Sequence, residues 1–336
     1  MKCVVTGGGG FVGSAICRSL IRSGHDVLAV GRNEYPALVA EGVTTAKHDL
    51  AASPETLIAL CRGAAVVFHT AAHVAMWGRR EEFVRGNITA TRNVIAACRA
   101  AGVPVLIFTS SPAVIADGND LRGVDESHAY SQHYVAHYPA TKAAAEREVR
   151  QSHGSGLTTV ALRPHLIFGP GDTHLVPTIV SRARAGRLVR VGDGCNRVDL
   201  TFIDDCVAAH LAAWQAAQTR ATLVGGRAFF ISQGDPTPLW PWIDRVLALH
   251  GLPPVQRSLP VWLAHGVATA LEALWTAGGI RSEPMLTKFL VSEMATEHFF
   301  DIRAARKDLG YQPMYSVQEA TQRSFGPSSA NVPREQ

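Results

Sequence analysis

Six short apolar runs, at residues 2–5, 26–30, 44–48, 65–69, 105–109 and 158–162, recur through the first half of the chain. All but 44–48 are rich in Val, Ile, Leu and Phe, as buried strands are. Between them lie stretches with helical spacing. Phe11, Val12, Ala15, Ile16 and Leu20 return every three or four positions, and residues 54–61, 81–101 and 138–151 read as further helices. Strands alternating with helices predict an α/β fold, a doubly wound parallel sheet that binds ligands at the carboxyl ends of its strands. Asp49, His69, Ser110, Ser111 and Arg163 fall at such ends and are expected around a ligand. Residues 1–175 form the nucleotide-binding part in this reading, with 196–232 returning to it in part. Residues 176–325 form a smaller, mostly helical substrate lobe, and 326–336, rich in Ser, Pro and charge, a disordered tail.

The turn from the first strand into the first helix reads Thr6-Gly7-Gly8-Gly9-Gly10-Phe11-Val12-Gly13. Gly7 suits the positive φ of a tight turn, Gly10 lets backbone approach a pyrophosphate, and Gly13 lets helix pack closely on strand. The helix opening at Phe11 and Val12 then offers free N–H groups and a positive dipole end to the phosphates. Strand, glycines and helix occur in the order that a Rossmann dinucleotide site requires. An NAD-selective site places Asp or Glu at the end of the second strand, roughly 20 residues past the glycines. Here that end reads Gly31-Arg32-Asn33. Arg32 offers a cationic fork for a 2′-phosphate, so NADP(H) is expected over NAD(H). The plainer alternative leaves Arg32 a solvated loop charge and gives the ribose to Glu34.

Tyr138 and Lys142 are four residues apart, one turn from each other on a single helix face. Pro139 fits the first helical turn, where no intrahelical N–H is needed. A cation beside a phenol favours the phenolate and is expected to draw its pKa from about 10 toward neutrality. Such a phenol serves as an acid or base, while a Ser hydroxyl orients a substrate oxygen.

With these motifs in place, the chain resembles the extended short-chain dehydrogenase/reductases from the glycine loop through Asp49-Leu50, FHTAAH, FTSSPAV, YPATK and LRPHLIFGPGD to VDLTFIDD. The resemblance makes Tyr138 the proton donor, Lys142 the ribose ligand and activator of Tyr138, and Ser111 the group that polarises the carbonyl, with Ser110 its rival. It places Asp49 and Leu50 beside adenine. The backbone around His69, Ala71 and Ala72 would line the cofactor, and Pro164 would approach the nicotinamide. Within that superfamily the chain is most similar to the 3β-hydroxysteroid dehydrogenase branch, and there to bacterial 2-alkyl-3-oxoalkanoate reductases of long-chain olefin biosynthesis. The stretches that carry this are SSPAVIADGNDLRGVDES, YVAHYPATKAAAE, VGDGCNRVDLTFIDD and EPMLTKFL. Such enzymes reduce the 3-keto group of a condensed fatty acyl product. A homodimer and assembly with other olefin-pathway enzymes are implied. 3β-Hydroxysteroid dehydrogenation, nucleotide-sugar epimerisation and a non-catalytic NADP-sensing module remain the alternatives.

The remaining features set limits. Residues 259–277 carry Glu272 as their only formal charge and read either as a roof over an alkyl-chain pocket or as core packing; small and polar residues argue against a membrane span. Net charge is +4, with the arginines at 182, 184, 187 and 190 read as a solvated face, so no nucleic-acid partner is expected. Six cysteines without C-x-x-C spacing indicate neither zinc ribbon nor disulfide framework and fit a reducing, cytoplasmic setting. A cleaved leader would remove the glycine loop, so none is expected. The spacings His69/His73 and His133/His137 lack the accompanying Glu of a metal motif, and no metal is expected.

Overall fold

A computed structural model describes residues 1–326. The tail expected at 326–336 therefore lies, beyond Gly326, outside the described residues. Seven strands build the main sheet: β1 (Lys2–Thr6), β2 (Asp26–Gly31), β3 (Thr44–Lys47), β4 (Ala64–His69), β5 (Val105–Thr109), β6 (Thr158–Pro164) and β7 (Arg227–Ile231). All are parallel, in the order β7-β6-β5-β4-β1-β2-β3. The order reverses between β1 and β4, and that reversal opens a crevice at the carboxyl ends of both. Unbroken apolar runs reflect burial on both faces: Val66, Val67, Phe68, Leu106, Ile107 and Phe108 are at most 1% exposed.

Six helices matter below: α1 (Phe11–Arg22), α2 (Ala90–Ala100), α3 (His137–Gln151), α4 (Ile203–Thr219), α5 (Val261–Ala277) and α6 (Lys288–Ala295). On one face of the sheet Ile16, Cys17 and Leu20 of α1 share a core with Ala209, Ala213 and Ala216 of α4. On the other, Val94, Ala97 and Cys98 of α2 pack with Leu57 and Cys61. A smaller four-stranded sheet joins Thr237–Pro238, Arg197–Val198, His298–Phe300 and Leu121–Val124. It stands beside a third core built on Phe168, Phe202, Trp240 and Trp242. Strand Leu121–Val124 thus leaves the first half of the chain for the small sheet, while β7 returns from the second half to the large one. The site lies between structures laced together by these exchanges.

Two expected elements come out differently. The single helix over 81–101 is interrupted by a π-helical segment, Val84–Thr89, ahead of α2. Its wider turn carries the buried Asn87, whose carboxamide accepts the His73 N–H at 2.7 Å and donates to the His73 carbonyl and the Thr141 hydroxyl. The interruption thus ties the loop after β4 to α3. Core packing for 259–277 is overturned as well. In α5 only Ala264 and Ala268 are buried, while Trp262 is 74% and Leu274 63% exposed. The small residues meet Val191 and Val291 and the large ones face outward. Among the described residues no helix is long and apolar enough to cross a membrane.

Candidate active site

The glycine loop sits at the reversal point of the sheet. Gly7 has φ +74°, and a Cβ there would lie 2.7 Å from the Ala71 backbone. A Cβ on Gly13 would come within 2.2 Å of the Gly7 carbonyl oxygen, so α1 approaches β1 as closely as expected. Gly10 meets only the Gly7 oxygen, at 3.2 Å, and no side chain caps α1. Its free N–H groups therefore suit a pyrophosphate. Phe11 and Val12 are half-buried against the third core, and Ala72 is exposed beside Ala71. These residues fit a dinucleotide.

At His69 the resemblance concerns the backbone, and the side chain has other partners. Its imidazole is fully buried, bonded to Thr6 at 2.7 Å and to Thr91 at 2.9 Å, so the side chain braces β1 and α2 and does not face a ligand. Burial, with the Lys142 charge adding to it, lowers its pKa to about 3. At the adenosine end, Leu50 turns into the core at 6% exposure. Asp49 accepts the Ala51 N–H at 3.0 Å and pairs with Arg85. Burial opposes ionisation of its carboxyl, but these bonds and the nearby Arg32 hold it below the usual range.

Tyr138 lies in the first turn of α3, half-buried. Its hydroxyl lies near Ser111, whose oxygen accepts the Ala113 N–H at 3.2 Å. Ser110 instead sits toward the Glu146 carboxylate without forming an aligned hydrogen bond. Ser111 is therefore the hydroxyl on the Tyr138 side.

The expected lowering of the Tyr138 pKa does not occur. Burial pushes it up to about 12, with the nearby Ser111 hydroxyl pulling down and the Glu293 carboxylate adding a smaller upward push. Lys142 does not offset this, because its amine donates to the Thr109 carbonyl at 2.6 Å and rests 4.2 Å above the Phe108 ring. Burial also lowers Lys142 to about 7, against an upward pull from Glu146.

Glu146, one turn beyond Lys142, accepts two bonds from Arg163 at 2.6 and 3.0 Å and one from Tyr130 at 2.6 Å. Burial works against this carboxylate, but Arg163 wins and keeps it below the usual range. Pro164 ends β6, buried and paired with Ile231.

Phe289 of α6, in the apolar stretch EPMLTKFL, places its ring 6.5 Å from that of Tyr138, which brings α6 to the helix that carries Tyr138 and Lys142. The histidines nearby were not singled out by the sequence. His165, next to Pro164, bonds His298 at 2.7 Å, and His298 holds the Glu293 carbonyl at 3.0 Å. Among the described residues, His165, Glu293 and His298 bring metal-ligand atoms within 4.8 Å of one another, but the direct imidazole bond already occupies the facing nitrogens. The 133 residues separating the two histidines hid this pair from any local motif. A depression of about 510 Å³ lined by Pro104, His153, Gly154 and Thr158 lies at the amino ends of β5 and β6, away from Tyr138 and Lys142.

Comparisons with known proteins agree with this geometry. The 3-beta hydroxysteroid dehydrogenase/isomerase family matches residues 4–261. A 2-alkyl-3-oxoalkanoate reductase of Stenotrophomonas maltophilia is 42% identical, covering 98% of this chain and 100% of the relative. One of Shewanella oneidensis is 38% identical over 95% and 84%, and the mouse sterol-4-alpha-carboxylate 3-dehydrogenase, decarboxylating, is 33% identical over 96% and 90%. Among solved structures, gox2253 superposes with TM-score 0.78 at 26% identity, covering 98% of both chains. MoeE5 in complex with UDP-glucose and NAD superposes with TM-score 0.75 at 22% identity, covering 99% of this chain and 100% of that one. The glycine cradle, the Ser111–Tyr138 pair and these matches together lead to one conclusion: the chain belongs to the 3-beta hydroxysteroid dehydrogenase/isomerase family, as an NAD(P)-dependent oxidoreductase of the extended short-chain dehydrogenase/reductase type.

Proposed function

We propose that the protein uses NADPH to reduce the 3-keto group of long-chain 2-alkyl-3-oxoalkanoic acids to the 3-hydroxy acid. The observation that carries the chemistry is the placing of Tyr138 beside Ser111, one turn ahead of the buried Lys142 on α3. The name and full-length match of the 42% identical relative support the substrate. Tyr138, kept protonated by its raised pKa, gives its proton to the carbonyl oxygen. Ser111 donates a hydrogen bond to the same oxygen, and Lys142 holds the nicotinamide ribose. NADPH, when bound, supplies a hydride to the carbonyl carbon and leaves as NADP⁺, so one hydride and one proton convert ketone to alcohol. Tyr138 regains its proton from solvent. Arg32 selects the phosphorylated cofactor in this reading, and residues 176–325 receive the substrate. A cytoplasmic homodimer that meets other enzymes of olefin formation completes the proposal.

A second substrate class, a 3β-hydroxysteroid bearing a neighbouring carboxylate, draws support from the mouse relative. The test is NADP⁺-linked oxidation of 2-alkyl-3-hydroxy acids of graded length, run beside 3β-hydroxysteroids and nucleotide sugars. Each methylene that becomes buried contributes up to about 0.8 kcal/mol, so kcat/KM should rise several-fold per carbon until the site is full. A flat response, or a clear preference for a steroid, overturns the long-chain reading and leaves the dehydrogenase chemistry in place.

A further inference from the structure

We infer that the Tyr35 hydroxyl is a second recognition group for the phosphate on the adenosine ribose 2′ position, standing where an NAD-selective site carries its carboxylate. The inference rests on the NADP(H) reading above and names a residue that reading does not use.

Strand β2 ends at Gly31, the position from which an acidic side chain reaches the ribose hydroxyls in NAD-selective sites. A Cβ built on Gly31 would lie 2.0 Å from the Tyr35 hydroxyl oxygen and 3.0 Å from the ring carbon that bears it. The phenol therefore takes the volume that an Asp or Glu side chain at Gly31 would need. The same ring lies on the glycine loop, where a Cβ on Gly9 would come within 1.9 Å of it. Neither Gly9 nor Gly31 has a positive φ, so backbone conformation does not require glycine at either position. The close approach of the Tyr35 ring does.

The ring is held there by its surroundings. Pro36 begins the short helix Pro36–Ala40 directly after it, fixing the turn, and Leu38 is buried at 3% exposure. Tyr35 lines a cleft of about 310 Å³ with Gly9, Phe11, Ser14 and Arg18, and Arg18 is already engaged by Glu41. The hydroxyl makes no hydrogen bond to another described residue. It is a free donor beside the carboxyl ends of β1 and β2.

The local charges favour an anion. Arg32 and Arg85 both act on Asp49, and Lys47 pairs in register with Gly31, so around the end of β2 three basic residues stand against Asp49 and the exposed Glu34. A phenol donates to a phosphate oxygen without the desolvation cost of another full charge. It also leaves no carboxylate to repel that phosphate.

Calorimetry with 2′,5′-ADP and 5′-AMP isolates the adenosine end from turnover. The wild type should bind 2′,5′-ADP more tightly than 5′-AMP. Tyr35→Phe keeps the ring and removes the donor, and should weaken 2′,5′-ADP roughly tenfold while leaving 5′-AMP within about twofold. Tyr35→His, which keeps a ring and a donor, should recover part of the loss. A double change, Gly31→Asp with Tyr35→Ala, restores the carboxylate and should invert the preference toward 5′-AMP. Wild-type affinity for 2′,5′-ADP in Tyr35→Phe, with Arg32→Ala still impaired, overturns the Tyr35 inference and spares the NADP(H) reading. Equal weakening of both ligands also overturns it, by assigning Tyr35 to packing alone. Equal binding of both ligands by the wild type removes the NADP(H) reading itself.

Discussion

Tyr138 is a phenol whose proton is held in place, with its pKa near 12. That state suits donation to a carbonyl more than spontaneous ionisation. Tyr138→Phe should therefore lower kcat by roughly 10²- to 10⁴-fold while NADPH affinity, followed by quenching of protein fluorescence, stays within about twofold. Near-normal turnover in that variant would place the donor elsewhere. The i, i+4 spacing of Tyr138 and Lys142 was legible because it is a local property of a helix. The direction of the lysine amine was not, since the Thr109 carbonyl that receives it comes from a strand 33 residues away. The sequence likewise left Ser110 and Ser111 as rivals. The structure separates them by putting Glu146 on one side and Tyr138 on the other.

Among the elements, α5 departs furthest from its sequence pattern. Its residues are apolar almost throughout, yet its contact with the rest of the molecule narrows to Ala264 and Ala268, small side chains that let the helix lie close. Ala268→Leu should overpack that contact and cost about 1–3 kcal/mol. Trp262→Ser, on a side chain that is 74% exposed, should stay within about 0.5 kcal/mol of the parent. Urea unfolding compares the two, and the reverse order would mean that the outer face of α5 is covered in solution. Helical periodicity could not foresee this arrangement, because an apolar helix looks the same whether it is enclosed or not. The π-helical segment before α2 was hidden for a related reason. It exists to deliver Asn87 to the His73 loop and to Thr141, partners that only the fold assembles.

For the whole molecule, buried titrating groups set the response to acid. His69 is lowered to about 3, His210 to about 4 and His165 well below its usual value, each chiefly by burial. An unfolded histidine takes up a proton near pH 6.5, so the unfolded chain binds more protons than the folded one below that pH. The stabilising contribution of these three groups is complete above about pH 6.5 and is lost as pH falls toward the folded values. Asp199, raised to about 6 by burial, works the other way between its folded value and the ordinary carboxylate range, and Asp205 and Glu126 are raised in the same sense. His69 and His210 together outweigh Asp199, so stability falls between pH 7 and pH 5. Scanning calorimetry should show a clearly lower Tm at pH 5 than at pH 7, and equal values would contradict the buried neutral histidines.

What the sequence determined by itself was whatever short range decides: the alternation of strands and helices, the glycine turn, the Tyr138–Lys142 step and, through them, the doubly wound sheet. Each depends on residues a few positions apart, where backbone geometry and hydrophobic period leave few choices. Only the tertiary structure decided which way His69 points, that Lys142 turns to Thr109, and that Tyr35 lies on Gly9 and Gly31. It also decided that Phe289 and Glu293 reach Tyr138, and His298 reaches His165, from the far end of the chain. Those outcomes depend on contacts between elements distant in sequence, made specific by close packing, and no local pattern of residue types encodes them.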